Sequence, residues 1–481
     1  MSKKNSEGLE FNSANAFFSQ KDIGIKKEYQ DHQRIVRVTD ISSKEFIEKK
    51  SDERGELDNI KKTMLGNIYI KYFKKITLLR NMAIYIWPYY IKFIVFVNKK
   101  NKYKAHGLIK LGDYIYDKKI DPMRLCTSEI INTPKPKIYP KEKELSLTSP
   151  HNSFIFPAVY VVTLDSCFVT GGSNFIRTEC ETICHDLFDV QRDTTSEELH
   201  GRVFINVKRN SITWLQPALA SVHLPIAASF VDACAPNYAH WLTEVLPRIA
   251  VFCSNEEFDN IPLIVNDGLH ENIMQSLLLI AGEAREIYTI SLGDTLSVSK
   301  LYVTSVAGYV PFERRKTRLK DHSHGKFSPF GFELIDKNVV NNCLMDKESR
   351  IYKKVYIKRN SNVRKVINDV ELEKTLLSNG FNVVEPEKLS FVEQFHLFRN
   401  AEFIVASSGA ALANLIFCRA DVKIIILISE HKDTSYWYWQ NMACAAGKKI
   451  SYVVGDIISF DKSIHSDFEL KIDDVLNAIN Y

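Results

Sequence analysis

Three titratable or charged side chains recur at every fourth position near the middle of the chain: His240, Glu244 and Arg248. In a helix this spacing places them in one row. An imidazole titrates near neutral pH, and an adjacent carboxylate can orient it, so His240 and Glu244 have the composition of a general base and its partner. The same spacing also fits a half-buried histidine beside a solvated Glu244–Arg248 pair that performs no chemistry.

A helix that begins just before this row must position it. Asn237 is a residue type that caps helix N-termini, so His240 should lie in the first turn. Pro247 lacks a backbone N–H, so we expect the helix to kink or restart near Leu246. An indole ring offers a flat apolar face that suits a sugar. We therefore predict that acceptor or sugar contacts are made by Asn237, Trp241 and Arg248.

A turn of small residues in the C-terminal half has a composition that suits a phosphate. Ser407-Ser-Gly-Ala-Ala411 follows an apolar run, Phe403–Ala406, that predicts a strand. Ligands of open α/β sheets lie at the carboxyl ends of the strands, where backbone N–H groups point outward. Small residues allow a phosphate to approach this backbone, although tight packing of a helix on a strand requires the same residue types.

Two arginines are expected to lie at the same edge of that sheet. Arg359 and Arg364 flank a short polar loop that follows the predicted strand Lys354–Ile357. Two cations beside a helix N-terminus make a suitable diphosphate site, whereas the alternative is a pair of surface arginines. The predicted donor-binding residues are Arg359, Arg364, Glu393, Ser408, Gly409, Ala410 and Asn414.

The sequence predicts no metal site. It contains no Asp-x-Asp pair of the kind that holds a cation against a diphosphate. Cys180, Cys184 and His185 lack a second ligand pair at zinc spacing, and His322 and His324 lack neighbouring carboxylates. We therefore expect arginines and a helix dipole to stabilise the phosphate charge.

Strands and helices alternate around both candidate sites, which predicts parallel β/α units and, in the C-terminal half, a doubly wound domain. The expected strands are Pro262–Val265, Glu286–Ile290, Leu301–Ser305, Lys354–Ile357, Asn382–Val384, Phe403–Ala406 and Lys423–Ile428. The expected helices are Glu271–Ala281, Asn368–Ser378 and Ser390–Arg399, the last with a capping box.

We divide the 481 residues into four regions. Residues 1–60 are polar, and both disorder and loose helix stay open for them. Residues 61–131 are predicted to be a basic and apolar helical region. Residues 141–345 are predicted to be an N-terminal α/β domain on the acceptor side, and residues 346–481 a C-terminal Rossmann-like domain. Prolines and lysines at Asn132–Pro140 predict an extended, solvated linker and a domain boundary.

The positive charge of the chain is local. Eleven basic and no acidic residues fall within Lys61–Lys104, against a formal net charge of +5 for the whole chain. The apolar run Met82–Val97 in this segment is shorter than the roughly 20 residues needed to span a bilayer. The segment fits contact with an anionic membrane surface, while a buried core helix is the alternative. No nucleic-acid fold signature accompanies the charge.

Nine scattered cysteines and a polar N-terminus without a signal-peptide pattern predict a protein of the reducing cytoplasm, at the face of a membrane if Lys61–Lys104 binds there.

The motifs together resemble glycosyltransferase family 61, which includes bacterial capsular polysaccharide biosynthesis proteins. His240-Trp-x-x-Glu244 resembles an HWxxE-type motif of that family, and the resemblance continues through Lys358–Arg364, Gly380-Phe381, Glu385-Pro386, Glu393-Gln394, Gly409-Ala410 and Asn414–Phe417. It extends over approximately Ile155 to Val454. The family often has a histidine before Gly-Ala, where this chain has Ser408.

The resemblance implies a GT-B architecture, in which two Rossmann-like domains face each other, here preceded by the basic N-terminal extension. It also implies inverting transfer from a nucleotide-sugar, with no other cofactor, to a bacterial surface glycan or lipid-linked glycan, for example of capsule or lipopolysaccharide. Metal independence is expected from the missing Asp-x-Asp pair. His240 is then the predicted base, oriented by Glu244; Glu244 as base with His240 on the donor phosphate is the reverse assignment. The alternative functions are a nucleotide-sugar epimerase and a non-catalytic glycan- or nucleotide-binding scaffold.

Overall fold

A computed structural model describes residues 105–143, 147–199, 202–215, 220, 222–312, 324–343, 352–361, 363–431, 436–458 and 466–480. The predictions for residues 1–60 and for the basic segment Lys61–Lys104 concern residues outside these ranges. The same is true of His322.

Most of the described strands belong to two main sheets, and the rest form two separate two-stranded sheets. The strands are β1 (Ala105–Lys110), β2 (Met123–Cys126), β3 (Glu129–Asn132), β4 (Lys137–Tyr139), β5 (Ser153–Phe156), β6 (Val159–Thr170), β7 (Ile176–Arg177), β8 (Glu181–Cys184), β9 (Val203–Asn206), β10 (Ser211–Trp214), β11 (Val222–Ser229), β12 (Leu263–Asn266), β13 (Ile287–Ile290), β14 (Thr295–Thr304), β15 (Gly308–Tyr309), β16 (Lys326–Phe327), β17 (Lys354–Ile357), β18 (Asn382–Val384), β19 (Phe403–Ser407), β20 (Lys423–Ser429), β21 (Ser451–Ile457) and β22 (Phe468–Glu469).

The described α-helices are α1 (Leu111–Lys118), α2 (Ser196–Leu199), α3 (Tyr238–His240), α4 (Leu246–Cys253), α5 (Glu271–Ala281), α6 (Pro329–Asn342), α7 (Asp369–Ser378), α8 (Phe391–Asn400), α9 (Tyr438–Ala445) and α10 (Ile472–Asn480). A π-helical turn, Trp241–Val245, joins α3 to α4. Tighter 3-10 turns occupy Val207–Arg209, Glu256–Phe258, Pro386–Lys388 and Ala410–Phe417.

The N-terminal sheet has eleven strands in the order β13-β12-β11-β14-β6-β7-β8-β1-β10-β9, with β2 beside β6. The first four strands are parallel, which confirms the predicted β/α units in this region. The sheet becomes antiparallel from β14 to β6. Helices α4, α5 and α6 pack on one another beside the parallel part. The His240 row is thus placed by the connection that leaves β11.

The C-terminal sheet has five consecutive parallel strands in the order β18-β17-β19-β20-β21. Alternate residues face two helical layers: Val405 packs in a cluster with Leu372 of α7, and Ile404 in a cluster with Phe398 of α8. Coverage of both faces explains the continuous apolar strands and confirms the predicted doubly wound domain. The order of strands changes direction between β17 and β19, where such sheets bind ligands.

The two sheets share a buried hydrophobic cluster. It includes Leu242 and Leu246 from the N-terminal side, and Leu412 and Tyr438 from the C-terminal side. The structure is therefore of the mixed α/β class, as expected, and the two halves are in direct apolar contact.

Two expectations for the segment before residue 141 are wrong. The predicted solvated linker contains β4, which pairs in parallel with β21 and buries Ile138. Pro136 and Pro140 flank the strand, so its own backbone donors stay intact. Residues 105–131 of the predicted helical region contain β1, β2 and β3 besides one helix, and β1 lies inside the N-terminal sheet.

Helix α6 has no counterpart among the predicted elements. Ser328 caps it by accepting from the N–H of Gly331, and Pro329 occupies its first turn, where a missing N–H costs nothing. Its buried side chains, Phe332, Ile335 and Val339, recur at helical spacing. The helix precedes the predicted domain boundary at residues 345/346, and the four-region division itself stays a prediction.

All nine cysteines are free thiols, as expected. In the described part of the chain, no helix combines the length and the apolar character that crossing a bilayer requires.

Candidate active site

The helix that carries His240 begins as the sequence predicts. The side chain of Asn237 accepts a hydrogen bond from the N–H of Ala239 at 3.0 Å. After α3, the π-helical turn accommodates the chain before α4 starts at Leu246, with Pro247 in its first turn. The predicted restart is confirmed. Single π turns inside helices occur frequently at functional sites.

The predicted pair of His240 and Glu244 is present. Nδ1 of His240 is hydrogen-bonded to one carboxylate oxygen of Glu244. The other oxygen accepts from the N–H of Val310 at 3.0 Å. Glu244 is 8% exposed, and the ring of His240 lies 6.4 Å from that of Phe312. Both oxygens of the Glu244 carboxylate are therefore hydrogen-bonded. The imidazole of His240 uses Nδ1 for its hydrogen bond to Glu244.

A close backbone approach builds this arrangement. A side chain at Gly308 would place its Cβ 1.9 Å from the carbonyl oxygen of Thr243 in the π turn. Only glycine lets β15 run so near to the turn, and Val310 then lies where its N–H meets Glu244.

The environment favours a proton on His240. Burial lowers the pKa of this imidazole, but the charge and the hydrogen bond of Glu244, together with the charge of Asp232, outweigh burial and raise the pKa above its ordinary value. A histidine whose pKa is raised by a fixed carboxylate is a stronger base once it has lost its own proton.

Arg248 does not form the solvated i,i+4 ion pair with the carboxylate of Glu244. It binds the backbone of Glu244 and the side chain of Asp232 instead. Its Nε donates to the main-chain carbonyl of Glu244 at 3.1 Å, and its Nη2 donates to the carboxylate of Asp232 at 3.1 Å. Its side chain is 12% exposed and lines a pocket with Asp232 and Glu244, and the predicted acceptor contact of Arg248 stays a prediction. Asp232 was missed by sequence reasoning, although its position just after β11 was an available signal.

The structure corrects the prediction for Trp241. The residue is fully buried, and its indole N–H donates to the hydroxyl of Ser276 on α5 at 2.8 Å. Its ring packs in the core because the apolar face of this helix points inward, and it offers no face to a sugar. Asn237 is exposed, with its side chain used as the cap.

The C-terminal candidate site lies at the carboxyl ends of β17 and β19. A pocket of about 280 Å³ opens there, at the point where the strand order changes direction. Its polar lining comprises Tyr356, Arg359, Asn360, Ser361, Lys365, Asp369 and Ser407. Cations, hydroxyls and an amide around a space of this size suit a phosphorylated ligand.

Arg359 and the glycine turn are in contact, as predicted. A Cβ added to Gly409 would lie 2.1 Å from Nη1 of Arg359, so the guanidinium lies directly over the glycine. Burial, followed by the charge of Arg364, lowers the pKa of Arg359 to about 10, and the group is still protonated at neutral pH.

Arg364 reaches the same turn from an unusual backbone conformation. Its φ is 57°, a left-handed value that non-glycine residues seldom adopt and that occurs disproportionately at functional sites. Its Nη1 donates to Ser408 Oγ at 3.5 Å, and the same oxygen accepts from the indole N–H of Trp439 at 2.9 Å. Ser408 thus joins the arginine loop to α9.

Other predicted donor residues have different roles in the structure. Glu393 is exposed and closes the predicted capping box with Ser390. Ala410 begins the 3-10 turn and is partly exposed. Asn414 is fully buried, and its amide nitrogen donates to Gln394 at 2.9 Å, so the prediction that it contacts the donor directly is wrong.

Asn414 joins the two candidate sites. Its Oδ1 accepts from the hydroxyl of Tyr238 at 2.9 Å. Tyr238 is two residues before His240, and Asn414 belongs to the 3-10 turn that follows Gly409. The histidine row and the glycine turn therefore lie on elements in direct contact, not on opposite exteriors.

In the described residues no cluster of three or more His, Cys, Asp or Glu side chains has the geometry to hold a metal ion. The predicted absence of a metal and of any other cofactor stays a prediction.

Residues 238–425 match the family model Glycosyltransferase 61. The match begins in the helix that carries His240 and ends in β20, so it includes both candidate sites. No curated protein matches the chain. The family resemblance of the motifs is confirmed for this segment, while its bacterial capsular type stays a prediction.

Proposed function

We propose that this protein is an inverting, metal-independent glycosyltransferase with a GT-B arrangement, in which the C-terminal half binds a nucleotide-sugar and the N-terminal half activates the acceptor. One observation carries the proposal: the paired His240 and Glu244 lie on an element that contacts the 3-10 turn just after Gly409, and the guanidinium of Arg359 lies over that glycine. The match of residues 238–425 to Glycosyltransferase 61 supports the same activity.

The donor would bind with its diphosphate at Arg359, Arg364 and the backbone of Gly409. A diphosphate carries negative charge that increases when the bond to the sugar breaks, and two guanidinium groups absorb this charge without a metal ion. The pocket between β17 and β19 would receive the nucleotide part of the donor.

The reaction is a single displacement. Nε2 of His240 takes the proton of an acceptor hydroxyl, the hydroxyl oxygen attacks the anomeric carbon, and the bond from that carbon to the diphosphate breaks with inversion. Both oxygens of Glu244 are occupied, by His240 and by the N–H of Val310. This favours His240 as the base and Glu244 as its orienting partner over the reverse assignment.

The acceptor in this proposal is a bacterial surface glycan or a lipid-linked glycan, as in capsule or lipopolysaccharide synthesis. A cytoplasmic protein held at the inner face of the membrane by residues 61–104 would meet such an acceptor, and no nucleic acid is involved. These assignments rest on the family resemblance and on the sequence of that segment.

A donor panel tests the proposal. Purified wild-type protein, His240→Ala, Arg359→Ala and the control His223→Ala would be measured for thermal stabilisation by nucleotide-sugars and for transfer to acceptor glycans. His223 is an exposed histidine of β11 and controls for loss of an imidazole. We expect His240→Ala to lose transfer by about 10²–10⁴-fold with donor affinity changed only a few-fold, and Arg359→Ala to lose donor stabilisation.

Near-normal turnover by His240→Ala would overturn the assignment of the base. Donor conversion without any acceptor would instead favour an epimerase. Donor binding without turnover across the acceptor panel would favour a non-catalytic scaffold.

A further inference from the structure

The N-terminal sheet has a ligand-binding edge of its own, to which the proposed reaction assigns no group. Strands β12 and β13 lie on one side of β11, whereas β14 pairs in parallel with the other side of β11. The strand order therefore changes direction between β11 and β14, as it does between β17 and β19 in the C-terminal sheet. Open α/β sheets bind ligands at the carboxyl ends of strands that meet at such a point.

A small cavity lies at this edge. It has a volume of about 40 Å³, and it is bounded by Thr304, the last residue of β14, and by Asp232, which follows β11. One water molecule needs at least about 10–15 Å³ of such space, so the cavity admits a group of about three heavy atoms or fewer, and not a sugar ring. Its polar lining includes Asn174, His185, Asp232, Glu244, Arg248 and Thr304.

The cavity is next to the catalytic pair but does not contain the base. Glu244 lines the cavity and is hydrogen-bonded to Nδ1 of His240. His240 is not among the described residues that line it. A group that enters the cavity is therefore distinct from the hydroxyl that reacts at Nε2 of His240.

Two buried polar atoms of the lining residues have no hydrogen-bond partner in the described part of the chain. They are Nδ1 of His185 and Oγ1 of Thr304, which is 4% exposed. The ring of His185 packs edge-on against Tyr309, with the centroids 4.2 Å apart. Buried polar groups are almost always paired, and a hydroxyl can donate one hydrogen bond and accept others. A single hydroxyl group can therefore serve both His185 and Thr304.

The charges of the lining favour an uncharged group. Asp232 and Glu244 are carboxylates, and the guanidinium of Arg248 already donates to Asp232 at 3.1 Å. Burial, followed by the charge of Arg248, lowers the pKa of His185 to about 3, so this imidazole is neutral near neutral pH. An anion in the cavity would lie beside two carboxylates without a free cation in the described lining, which is unfavourable.

We propose that this cavity binds the hydroxymethyl group of a neutral hexose in the acceptor, through hydrogen bonds to His185 and Thr304. The proposal rests on the proposed transferase function. A hydroxymethyl group extends further from the sugar ring than a ring hydroxyl does, so it fits a cavity of this size while the ring stays outside. The site selects hexoses over 6-deoxy sugars, which lack this hydroxyl, and over uronic acids, which carry a carboxylate in its place.

Ligand-observed NMR titration of the full chain tests the site without any turnover. The probes are the methyl glycosides of D-glucose and D-galactose, each compared with its 6-deoxy form and its uronic acid. The variants are Thr304→Val, Thr304→Ser, the donor-site variant Arg359→Ala and the control Thr163→Val. Thr163 is a partly buried threonine of β6 outside the described cavity lining.

In the wild type, we expect at least one hexoside to bind about tenfold or more tightly than both its 6-deoxy form and its uronic acid. Thr304→Val keeps the shape of the side chain and removes the hydroxyl, so it should weaken hexoside binding about three- to tenfold and leave the 6-deoxy form unchanged. Thr304→Ser and Thr163→Val should retain the affinity of the wild type.

The comparison of sugars in the wild type needs no substitution, so it decides the matter even if a variant does not fold. Equal affinities for a hexoside, its 6-deoxy form and its uronic acid, or no binding of any of them, would overturn the proposal. So would a hexoside preference that survives Thr304→Val. If Arg359→Ala abolished that preference, it would belong to the donor pocket.

The two proposals fail separately. Thr304-dependent hexoside binding without transfer from any nucleotide-sugar would keep the hexose site and remove the transferase function. Transfer to hexose and 6-deoxyhexose acceptors with equal KM, unaffected by Thr304→Val, would keep the transferase and remove the hexose site.

Discussion

The two halves of the proposed site differ in how completely the protein itself binds their polar atoms. In the N-terminal half, both oxygens of Glu244 and the carboxylate of Asp232 have partners, and Arg248 is nearly enclosed. In the C-terminal half, the buried Nε of Arg364 has no hydrogen-bond partner among the described residues, and Arg359 lines an open pocket. The first half is preorganised for proton transfer, whereas the second is organised to receive a charged ligand.

The largest expected effect comes from disturbing the preorganised half. Glu244→Gln keeps the shape of the side chain but removes the charge that raises the pKa of His240. We expect kcat to fall by about 10²–10⁴-fold. A base must be unprotonated to act, so activity rises with pH through the pKa of His240, and the variant should show this rise at lower pH.

A pH profile of kcat for the wild type and Glu244→Gln measures this shift. If the variant's rise occurred at the same pH as in the wild type, Glu244 would not set the pKa of the catalytic base.

The contact between the halves gives the next largest effect. Asn414→Ala leaves the hydroxyl of Tyr238 and the amide oxygen of Gln394 without their partner. We expect the free energy of unfolding, measured by urea denaturation, to fall by about 2–3 kcal/mol, and by about 1 kcal/mol in Tyr238→Phe, which loses one hydrogen bond. Equal stability of all three proteins would mean that this joint contributes nothing.

In the C-terminal half, the substitution Gly409→Ala is expected to have a smaller effect. In Gly409→Ala the new methyl group displaces the guanidinium of Arg359, while the extended backbone at Gly409 tolerates alanine. We expect nucleotide-sugar affinity to fall about tenfold, by loss of one charge-assisted contact, with little change in stability.

Isothermal titration of Gly409→Ala against Gly107→Ala provides the matched comparison, because a Cβ at Gly107 meets only a side-chain atom 4.0 Å away. Unchanged donor affinity in Gly409→Ala would exclude the turn from the donor site.

The smallest effect on activity is expected at Trp241. Trp241→Phe removes the hydrogen bond to Ser276 and leaves a small cavity, so stability should fall by about 1–3 kcal/mol. The KM for the acceptor should stay within about twofold, because the ring is buried in the core and does not contact the acceptor. A large increase in acceptor KM at a temperature where the variant is fully folded would show that Trp241 contacts the sugar.

Local signals predicted local structure well. The cap at Asn237, the restart at Pro247 and the capping box of Ser390 and Glu393 each depend on residues close in sequence, and all three are confirmed. The parallel strands of both halves also followed from apolar runs. Burial was harder to predict, because the face of a helix that meets the core depends on distant partners such as Ser276 for Trp241 and Gln394 for Asn414.

Pairing between residues far apart in the sequence was also hard to predict. Strand β4 is three residues long, and only its pairing with β21, more than three hundred residues later, makes it a strand. The salt bridge of Arg248 with Asp232 likewise replaced a local i,i+4 partner by one brought near through the fold. The pairing of His240 with Glu244 was predictable because both residues lie on one helical row.

A crystal structure of the protein with a bound nucleotide-sugar tests most directly whether the two halves act on one activated sugar. We predict a diphosphate in contact with Arg359, Arg364 and the backbone of Gly409, and an anomeric carbon that faces Nε2 of His240 across a space for one acceptor hydroxyl. A nucleotide-sugar bound away from the β17–β19 edge, or with its sugar turned away from His240, would contradict the account.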